Sequence, residues 1–168
     1  MSKRKTPSRR ATYCWDTSVF VAWIKNEEGA PLADIGLVTD ELDKNQSNLL
    51  VPMPIVTEIL EARHSPDQIA KFNAYLQRSN VILADTTYPI ARKASDLRSA
   101  FLAQKRKLKT PDAQVIATAI VYRANALHSL DPDILNVAGD PAIEGLRISR
   151  PMTIHGQRSV FPNDPENG

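Results

Sequence analysis

Four acidic side chains occupy positions where a charge is unexpected. The chain has 19 Asp and Glu residues, most of which we assign to the solvated surface. Asp16 directly follows the apolar run YCW, and Asp131 follows the run ALHSL, so both are predicted at the carboxyl ends of buried strands. Asp112 opens an almost wholly apolar helix, and Glu58 lies in the first turns of another. Because polar groups at strand carboxyl ends gather at one sheet edge, we expect all four side chains to converge there.

Several carboxylates brought together need a compensating cation. Burial and mutual repulsion both disfavour their charged forms. No Lys or Arg stands out in the sequence as a shared internal partner, and 3 His and 1 Cys, widely scattered, give no zinc-ligand spacing. Carboxylate oxygens are the ligands that hard divalent cations prefer, so the pattern predicts an Mg²⁺ or Mn²⁺ site.

Each acid also has a simpler interpretation. Asp16 and Asp112 could complement helix dipoles, which is worth about 0.3–1 kcal/mol each. Asp131 precedes Pro132 and could be a turn residue. Glu58 alone could be a surface helix residue. The four positions together, on this order of elements, favour a shared site.

The elements that must position these acids alternate along the chain. Short apolar runs separated by helical patterns predict a parallel sheet covered on both faces, here a three-layer α/β/α sandwich with a short, mainly parallel central sheet. We predict strands at 13–15, 49–51, 81–83, 126–130 and 145–148. Helices are expected after Asp16, Pro31, Pro54, Ser65 and Tyr88, with a last one capped by Thr110. Their apolar sides are predicted to include Leu37 and Leu102.

Length and composition indicate one globular domain. The chain has 168 residues, a net charge of +2 and a pI near 8.7, which does not by itself indicate a nucleic-acid binder. We expect a flexible basic tail at 1–11, one globular domain at 12–150 and a loosely ordered tail at 151–168. The single cysteine, Cys14, suits a reducing cytoplasm, and no apolar stretch approaches the roughly 20 residues of a membrane span.

Four motifs resemble one family. They are YCWDTSVFVAWI, MPIVTEILEAR, LKTPDAQVIATAI and LHSLDPDIL, and they span most of the chain. The sequence resembles PIN-domain ribonucleases of the VapC type, the toxin half of a toxin–antitoxin pair. The third motif is the most specific. The chain departs from the family in Ser129, where a threonine is usual, in Ile134, where an aromatic is frequent, and in lacking a glycine at 104–108.

The resemblance implies a metal-dependent endoribonuclease. It places the catalytic acids at Asp16, Glu58, Asp112 and Asp131, and supporting hydroxyls at Thr17, Ser18 and Ser129. Asp16, Asp112 and Asp131 would bind Mg²⁺ (or Mn²⁺), while Glu58 completes the shell or orients a water. The candidate RNA contacts are Lys105, Arg106, Lys107, Lys109 and, ranked lower, Arg98. A solvated helix end explains the lysine-rich segment equally well.

The resemblance also implies partners, and alternatives stay open. RNA would be the substrate, a small antitoxin would be the cognate protein partner, and a homodimer is typical. The alternatives are a non-catalytic PIN-like RNA-binding or scaffold protein, a DNA-directed nuclease, and a metal-dependent phosphatase using the same carboxylates. A phosphoacceptor signalling domain is disfavoured. It requires a paired acid in the first turn and a lysine after a late strand, and the sequence has neither.

Overall fold

A five-stranded parallel sheet forms the centre of the protein. The computed structural model describes residues 10–154. Neighbouring strands run parallel throughout, in the order β3-β2-β1-β4-β5. The strands are β1 (Ala11–Trp15), β2 (Ser47–Pro52), β3 (Val81–Ala84), β4 (Ala126–His128) and β5 (Ile148–Ser149).

Helices cover both faces of this sheet. They are α1 (Thr17–Lys25), α2 (Leu32–Asp43), α3 (Met53–Glu61), α4 (Pro66–Leu76), α5 (Tyr88–Ala103), α6 (Thr110–Val121) and α7 (Pro132–Leu135), with a 3-10 helix at Pro141–Ile143. Helix α1 packs against α2, α3 and α4, whereas α5 and α6 pack against each other and the 3-10 helix. Right-handed crossovers explain this division, because the chain reverses its direction across the sheet after β3. The predicted three-layer α/β/α class is confirmed.

Burial on both faces accounts for the apolar strands. Tyr13, Cys14 and Trp15 of β1 are fully buried, as are Leu49, Leu50 and Val51 of β2. Such continuous burial is typical of parallel strands between two helical layers. The core therefore lies on both sides of β1, the central strand.

The strand order creates a crevice beside β1. From β1 the chain passes outward to β2 and β3, then returns to place β4 on the other side of β1. Such a switch in strand order leaves an opening at the strand carboxyl ends. Asp16 follows β1 and Asp131 lies just beyond β4, so both acids flank this opening.

Several local predictions require correction. Leu37 and Leu102 were assigned to apolar faces but are 59% and 72% exposed, because their helices turn these positions to solvent. Thr110 is the first residue of α6 rather than its cap, which is Lys109. Strand β4 ends at His128, and neither α7 nor the 3-10 helix was predicted, since elements of three or four residues carry little periodic signal.

The predicted tails and the membrane prediction concern the two ends of the chain and its helices. The predicted tails at 1–11 and 151–168 fall mainly outside the described residues, and Ala11 is already the first residue of β1. Within residues 10–154, each helix is too short or too polar to cross a bilayer.

Candidate active site

All four predicted acids line one small pocket at the carboxyl edge of the sheet. The pocket has a volume of about 60 Å³. Residues from β1, α1, α3, α6 and the β4–α7 connection surround it. They are Asp16, Thr17, Ser18, Ile55, Glu58, Asp112, Val115, Asp131 and Ile134. The acids, up to 115 residues apart in sequence, thus share one opening.

Asp16 is the most firmly held of the four. Its carboxylate caps α1: Oδ1 accepts hydrogen bonds from the Ser18 backbone N–H (2.9 Å) and the Ser18 hydroxyl. Oδ2 accepts a hydrogen bond from the Ser129 hydroxyl at 2.5 Å. The residue is 6% exposed. Burial raises the pKa of Asp16, although the hydrogen bonds from Ser129 and Ser18 act in the opposite direction.

Two serines tie Asp16 to the segment after β4. Each hydroxyl donates to the Asp16 carboxylate and accepts from a backbone N–H. Ser18 Oγ accepts from the Leu130 N–H at 2.9 Å, and Ser129 Oγ accepts from the Asp131 N–H at 3.0 Å. These bridges fix the ends of β1 and β4 relative to each other. The sequence predicted the hydroxyls but not their backbone partners, which depend on the pairing of β1 with β4.

The carboxylates of Glu58 and Asp131 each accept one hydrogen bond. The Thr17 hydroxyl donates to Glu58 Oε2, which connects α1 to α3. Asp131 caps α7, and its Oδ1 accepts from the Asp133 backbone N–H at 2.9 Å. Each carboxylate therefore retains an oxygen without a protein donor among the described residues.

Asp112 is held by its helix rather than by hydrogen bonds. It lies in the first turn of α6, on the same face as three buried residues that anchor the helix to the core: Val115, Ile116 and Ala119. In the described part of the chain, its carboxylate accepts no hydrogen bond. The position of α6 therefore places the Asp112 carboxylate at the pocket.

The pKa of Asp112 is shifted by burial and by the charges around it. Burial, together with repulsion from Asp131, Glu58 and Asp16, raises the pKa of Asp112 to about 6, and Lys109 partly offsets this rise. The pocket thus concentrates negative charge, of which Lys109 offsets a part.

The donor chemistry fits a hard divalent cation, but the side chains do not close around one. All four candidate ligands are carboxylates, the preferred ligands of Mg²⁺ and Mn²⁺. However, within residues 10–154 no three Asp, Glu, His or Cys side chains are arranged closely enough to hold a metal ion. Mutual repulsion among uncompensated carboxylates is a sufficient physical reason for this spacing.

Two grooves lie along the loop between α5 and α6, and one of them adjoins the acidic pocket. The nearer groove, about 320 Å³, shares Asp112 with the acidic pocket and is also lined by Arg106, Lys107 and Lys109. The farther groove, about 190 Å³, is lined by Arg98, Arg106 and Lys107. Positive side chains therefore lie along a path that leads to the carboxylates.

The two arginines in these grooves have structural partners. Arg106 donates to the Asn136 carbonyl (2.9 Å) and to Asp140 Oδ2 (3.1 Å), and its guanidinium lies 4.6 Å from the Phe101 ring centroid. Arg98 Nε donates to the Leu108 carbonyl at 3.1 Å. Both therefore brace the loop. The sequence did not predict this role, because the partners of Arg106 lie about 30 residues away.

The three lysines are more available. Lys107 is exposed and lines both grooves. Lys109 is also exposed, and its Nζ lies 3.9 Å from Asp133 Oδ2. Lys105 is exposed but lines neither groove. The structure thus brings two of the five predicted cations to the grooves with largely free amino groups.

Comparison with known structures identifies the same fold in toxin–antitoxin complexes. VapBC2 from Rickettsia felis, bound to a promoter DNA fragment, is similar at a TM-score of 0.63 and 15% identity, over 83% of this chain and 98% of that one. A toxin–antitoxin complex from Klebsiella pneumoniae has a TM-score of 0.58 and 19% identity, over 84% and 99%. VapBC-5 from Mycobacterium tuberculosis has a TM-score of 0.55 and 19% identity, over 83% and 98%.

Sequence comparison identifies the family directly. No curated protein matches the chain significantly. The PIN domain family, however, matches residues 13–140, which include all four acids of the pocket, the last three residues of β1 and the whole of β2, β3 and β4. The chain belongs to the PIN-domain family.

Proposed function

We propose that this protein is a metal-dependent endoribonuclease and the toxin of a VapBC-type toxin–antitoxin system. The observation that carries the proposal is the convergence of four carboxylates from four separate chain segments on one pocket. PIN domains are typically nucleases, and a pocket of this kind suits phosphodiester hydrolysis. The alternative of a non-catalytic scaffold is disfavoured, because loss of activity usually accompanies loss of such carboxylates.

Asp16, Asp112 and Asp131 are the proposed ligands of Mg²⁺ (or Mn²⁺). When bound, a divalent ion offsets their charge, polarises a phosphoryl oxygen and lowers the pKa of water. Asp16 is preorganised by Ser18 and Ser129, whereas Asp112 has no hydrogen bond of its own within residues 10–154 and can shift toward an ion. Metal binding is therefore expected to draw the open arrangement of the side chains together.

The remaining residues would position the reactants. Glu58, oriented by the Thr17 hydroxyl, would complete the ion's surroundings or accept a proton from the attacking water. Lys107 and Lys109 would contact phosphates of the RNA on the side of the α5–α6 loop. Arg106 and Arg98 would support these contacts by holding the loop in place.

The proposed substrate and partners follow the relatives. One structure with this fold is described as a sarcin–ricin loop cleaving toxin from Mycobacterium tuberculosis, and several others are complexes of toxin with antitoxin. By analogy, we assign RNA as substrate and a small antitoxin as cognate partner. We also propose a homodimer that acts in the cytoplasm.

The decisive experiment is an RNA cleavage assay with and without EDTA. Asp16→Asn and Asp112→Asn should each lower the cleavage rate by more than the roughly 10–100-fold that loss of an outer-shell partner of a metal costs. EDTA should abolish wild-type cleavage, and added Mg²⁺ or Mn²⁺ should restore it. Asp67→Asn is the matched control, since Asp67 is an exposed acid that also lies in the first turn of a helix after a proline.

The same assay separates the alternatives. Wild-type rates in both pocket variants would contradict the proposed site. Equal cleavage of single-stranded DNA and RNA of the same sequence would favour a DNA-directed nuclease. If expression of wild-type protein arrests growth and the Asp112→Asn variant does not, the toxin role is supported.

A further inference from the structure

One face of α5 carries exposed apolar side chains beside exposed polar and basic ones. Five exposed residues follow one another at steps of three or four, so they share this face: Tyr88, Arg92, Ser95, Ser99 and Leu102. Tyr88 and Leu102, at 74% and 72%, are the most exposed large hydrophobic side chains in the described part of the chain. Packing within this chain therefore does not account for these two side chains.

The surroundings of this α5 face are strongly basic. Residues 88–109 contain 7 Lys and Arg residues and one acid, Asp96, whereas the net charge of the whole chain is only +2. The side chains of Arg92 and Lys107 are exposed and make no ion pair or hydrogen bond within residues 10–154. The face therefore has positive charge that the described residues leave available.

Arg98 is held in place with its terminal amino groups free. Its Nε donates to the Leu108 carbonyl at 3.1 Å, and its two terminal nitrogens make no hydrogen bond among the described residues. A guanidinium fixed in this way loses little conformational freedom when it binds a phosphate. Arg98 thus combines support of the loop with the capacity to bind an anion.

The farther groove joins the α5 face to the acidic pocket. Three residues of the face line this groove together with Arg98 and Lys107; they are Ser95, Ser99 and Leu102. The nearer groove shares Lys107 with it and also includes Asp112 of the acidic pocket. A ligand that occupies both grooves would therefore extend from the carboxylates onto α5.

We propose that the α5 face binds a single-stranded stretch of the RNA substrate beside the cleavage site. Its phosphates would contact Arg92, Arg98 and Lys107, and its bases would pack on Tyr88 and Leu102. A positive groove combined with aromatic side chains is how proteins commonly hold single strands. This inference rests on the proposed RNA substrate, but it depends neither on the metal ion nor on cleavage.

Other partners match the α5 face less well. The bases of a duplex are stacked inside it, so a duplex would leave Tyr88 and Leu102 uncovered. A second copy of the chain, related by twofold symmetry, would bring two basic faces together, which like-charge repulsion disfavours. An acidic protein segment would balance the charge but would not explain why the groove continues to the acidic pocket.

RNA binding in EDTA tests the α5 face separately from catalysis. Fluorescence anisotropy of a labelled single-stranded RNA gives the Kd while cleavage is blocked. Arg92→Gln should weaken binding and lower the slope of log Kd against log salt concentration by about 0.7, as expected for one phosphate contact on a single strand. Tyr88→Ala should raise the Kd about fivefold or more because a stacked base is lost, whereas Tyr88→Phe should bind as wild type does.

Two matched substitutions away from the α5 face serve as controls. Arg63 is an exposed arginine between α3 and α4, and Tyr122 is an exposed tyrosine just after α6; neither lines the two grooves. Arg63→Gln and Tyr122→Ala should keep the wild-type Kd and salt dependence. Wild-type binding by Arg92→Gln or by Tyr88→Ala, or a duplex bound as tightly as the single strand, would overturn the proposal.

Substrate length provides a second readout. RNAs that keep the cleavage site but lose flanking nucleotides on one side should show a higher KM and an unchanged kcat, because the lost contacts form equally in the ground and transition states. A KM that is independent of flanking length on both sides would contradict the proposal. If RNA is not cleaved but the α5 variants still bind it more weakly than wild type, the nuclease proposal fails and the α5 face remains supported.

The oligomeric state without RNA checks whether another copy covers the face. Sedimentation of Tyr88→Ala and Arg92→Gln should give the same mass as wild type. Dissociation of an oligomer in either variant would assign the α5 face to contacts between copies and would overturn its role in binding RNA.

Discussion

Helices α4 and α6 begin with nearly the same sequence and use it differently. Helix α4 begins at Ser65-Pro66-Asp67 and α6 at Thr110-Pro111-Asp112, so each has a hydroxyl residue, a proline and an acid at its start. Ser65 forms a capping box with Gln68, and Asp67 is exposed. Thr110 makes no capping hydrogen bond, and Asp112 lines the acidic pocket.

This difference shows that an acidic residue in the first turn of a helix can have two different roles. At α4 the local interactions account for the sequence, since Asp67 complements the helix dipole and the Ser65 hydroxyl accepts a hydrogen bond from the Gln68 N–H. At α6 the cap is missing, and the acid points toward three other carboxylates. The same short pattern therefore stabilises one helix and supplies a candidate metal ligand in the other.

The largest difference between substitutions at Asp112 and Asp67 should appear in the stabilisation of the protein by a metal ion. At Mg²⁺ concentrations near 100 times Kd, the wild type should gain about 2.7 kcal/mol in free energy of unfolding. Asp112→Asn should lose most of this gain because it removes a proposed ligand, whereas Asp67→Asn should keep it. Thermal unfolding with and without Mg²⁺ measures both. An equal gain in Asp112→Asn would argue against Asp112 as a ligand.

The second-largest difference between substitutions at Asp112 and Asp67 should appear in the pH dependence of the free energy of unfolding. The pKa of Asp112 is raised to about 6, so between about pH 4 and pH 6 the folded protein retains a proton that the unfolded chain has lost. The contribution of Asp112 to the free energy of unfolding should therefore fall as pH rises through this window, by about 1 kcal/mol once solvent screening is allowed for.

Urea unfolding of the metal-free protein at pH 4.5 and pH 7 measures this effect. Asp112→Asn should reduce the fall by the contribution of Asp112, and Asp67→Asn should preserve it. A part of the fall should remain in Asp112→Asn, because the pKa of Asp16 is also raised. Saturating Mg²⁺ should also reduce the fall in the wild type. If wild type and Asp112→Asn show the same pH dependence, the carboxylates do not interact as their positions indicate.

Capping substitutions give the smallest difference. Ser65→Ala should lower the free energy of unfolding by about 1 kcal/mol, because it removes the capping box. Thr110→Ala should change it by less than about 0.5 kcal/mol, because Thr110 is exposed and makes no capping bond. Urea unfolding of both variants tests this order. A larger loss for Thr110→Ala would mean that the two helix starts are equivalent.

The fold class could be predicted from the sequence because the patterns that indicate it lie within single helices and strands. Short apolar strands, proline-led helix starts and the buried face after Asp112 are all visible as periodic patterns. Errors occurred where the pattern was ambiguous, as at Leu37 and Leu102, since an isolated leucine can face solvent without a large cost. The short α7 was missed because four residues cannot establish a helical period.

The candidate acids could be selected from the sequence, but their environments could not. The apolar helix that Asp112 opens distinguished it from Asp67, and the resemblance to PIN domains then supported that choice. The serine bridges from Asp16 to the β4–α7 segment required β1 and β4 to be neighbours. The bracing role of Arg106 required a partner segment that is distant in the chain. Neither contact has a periodic or short-range signature.

The amino-acid sequence by itself determined the order of the main helices and strands, most of the apolar core and the four acids proposed as a site. These depend on side-chain chemistry and spacing within single elements. Tertiary structure decided the strand order, the half-burial of Asp112 beside Asp131 and Glu58, and the two grooves that share Lys107. The physical reason is that burial and charge interactions depend on distances between elements, and these exist only after the layers have packed.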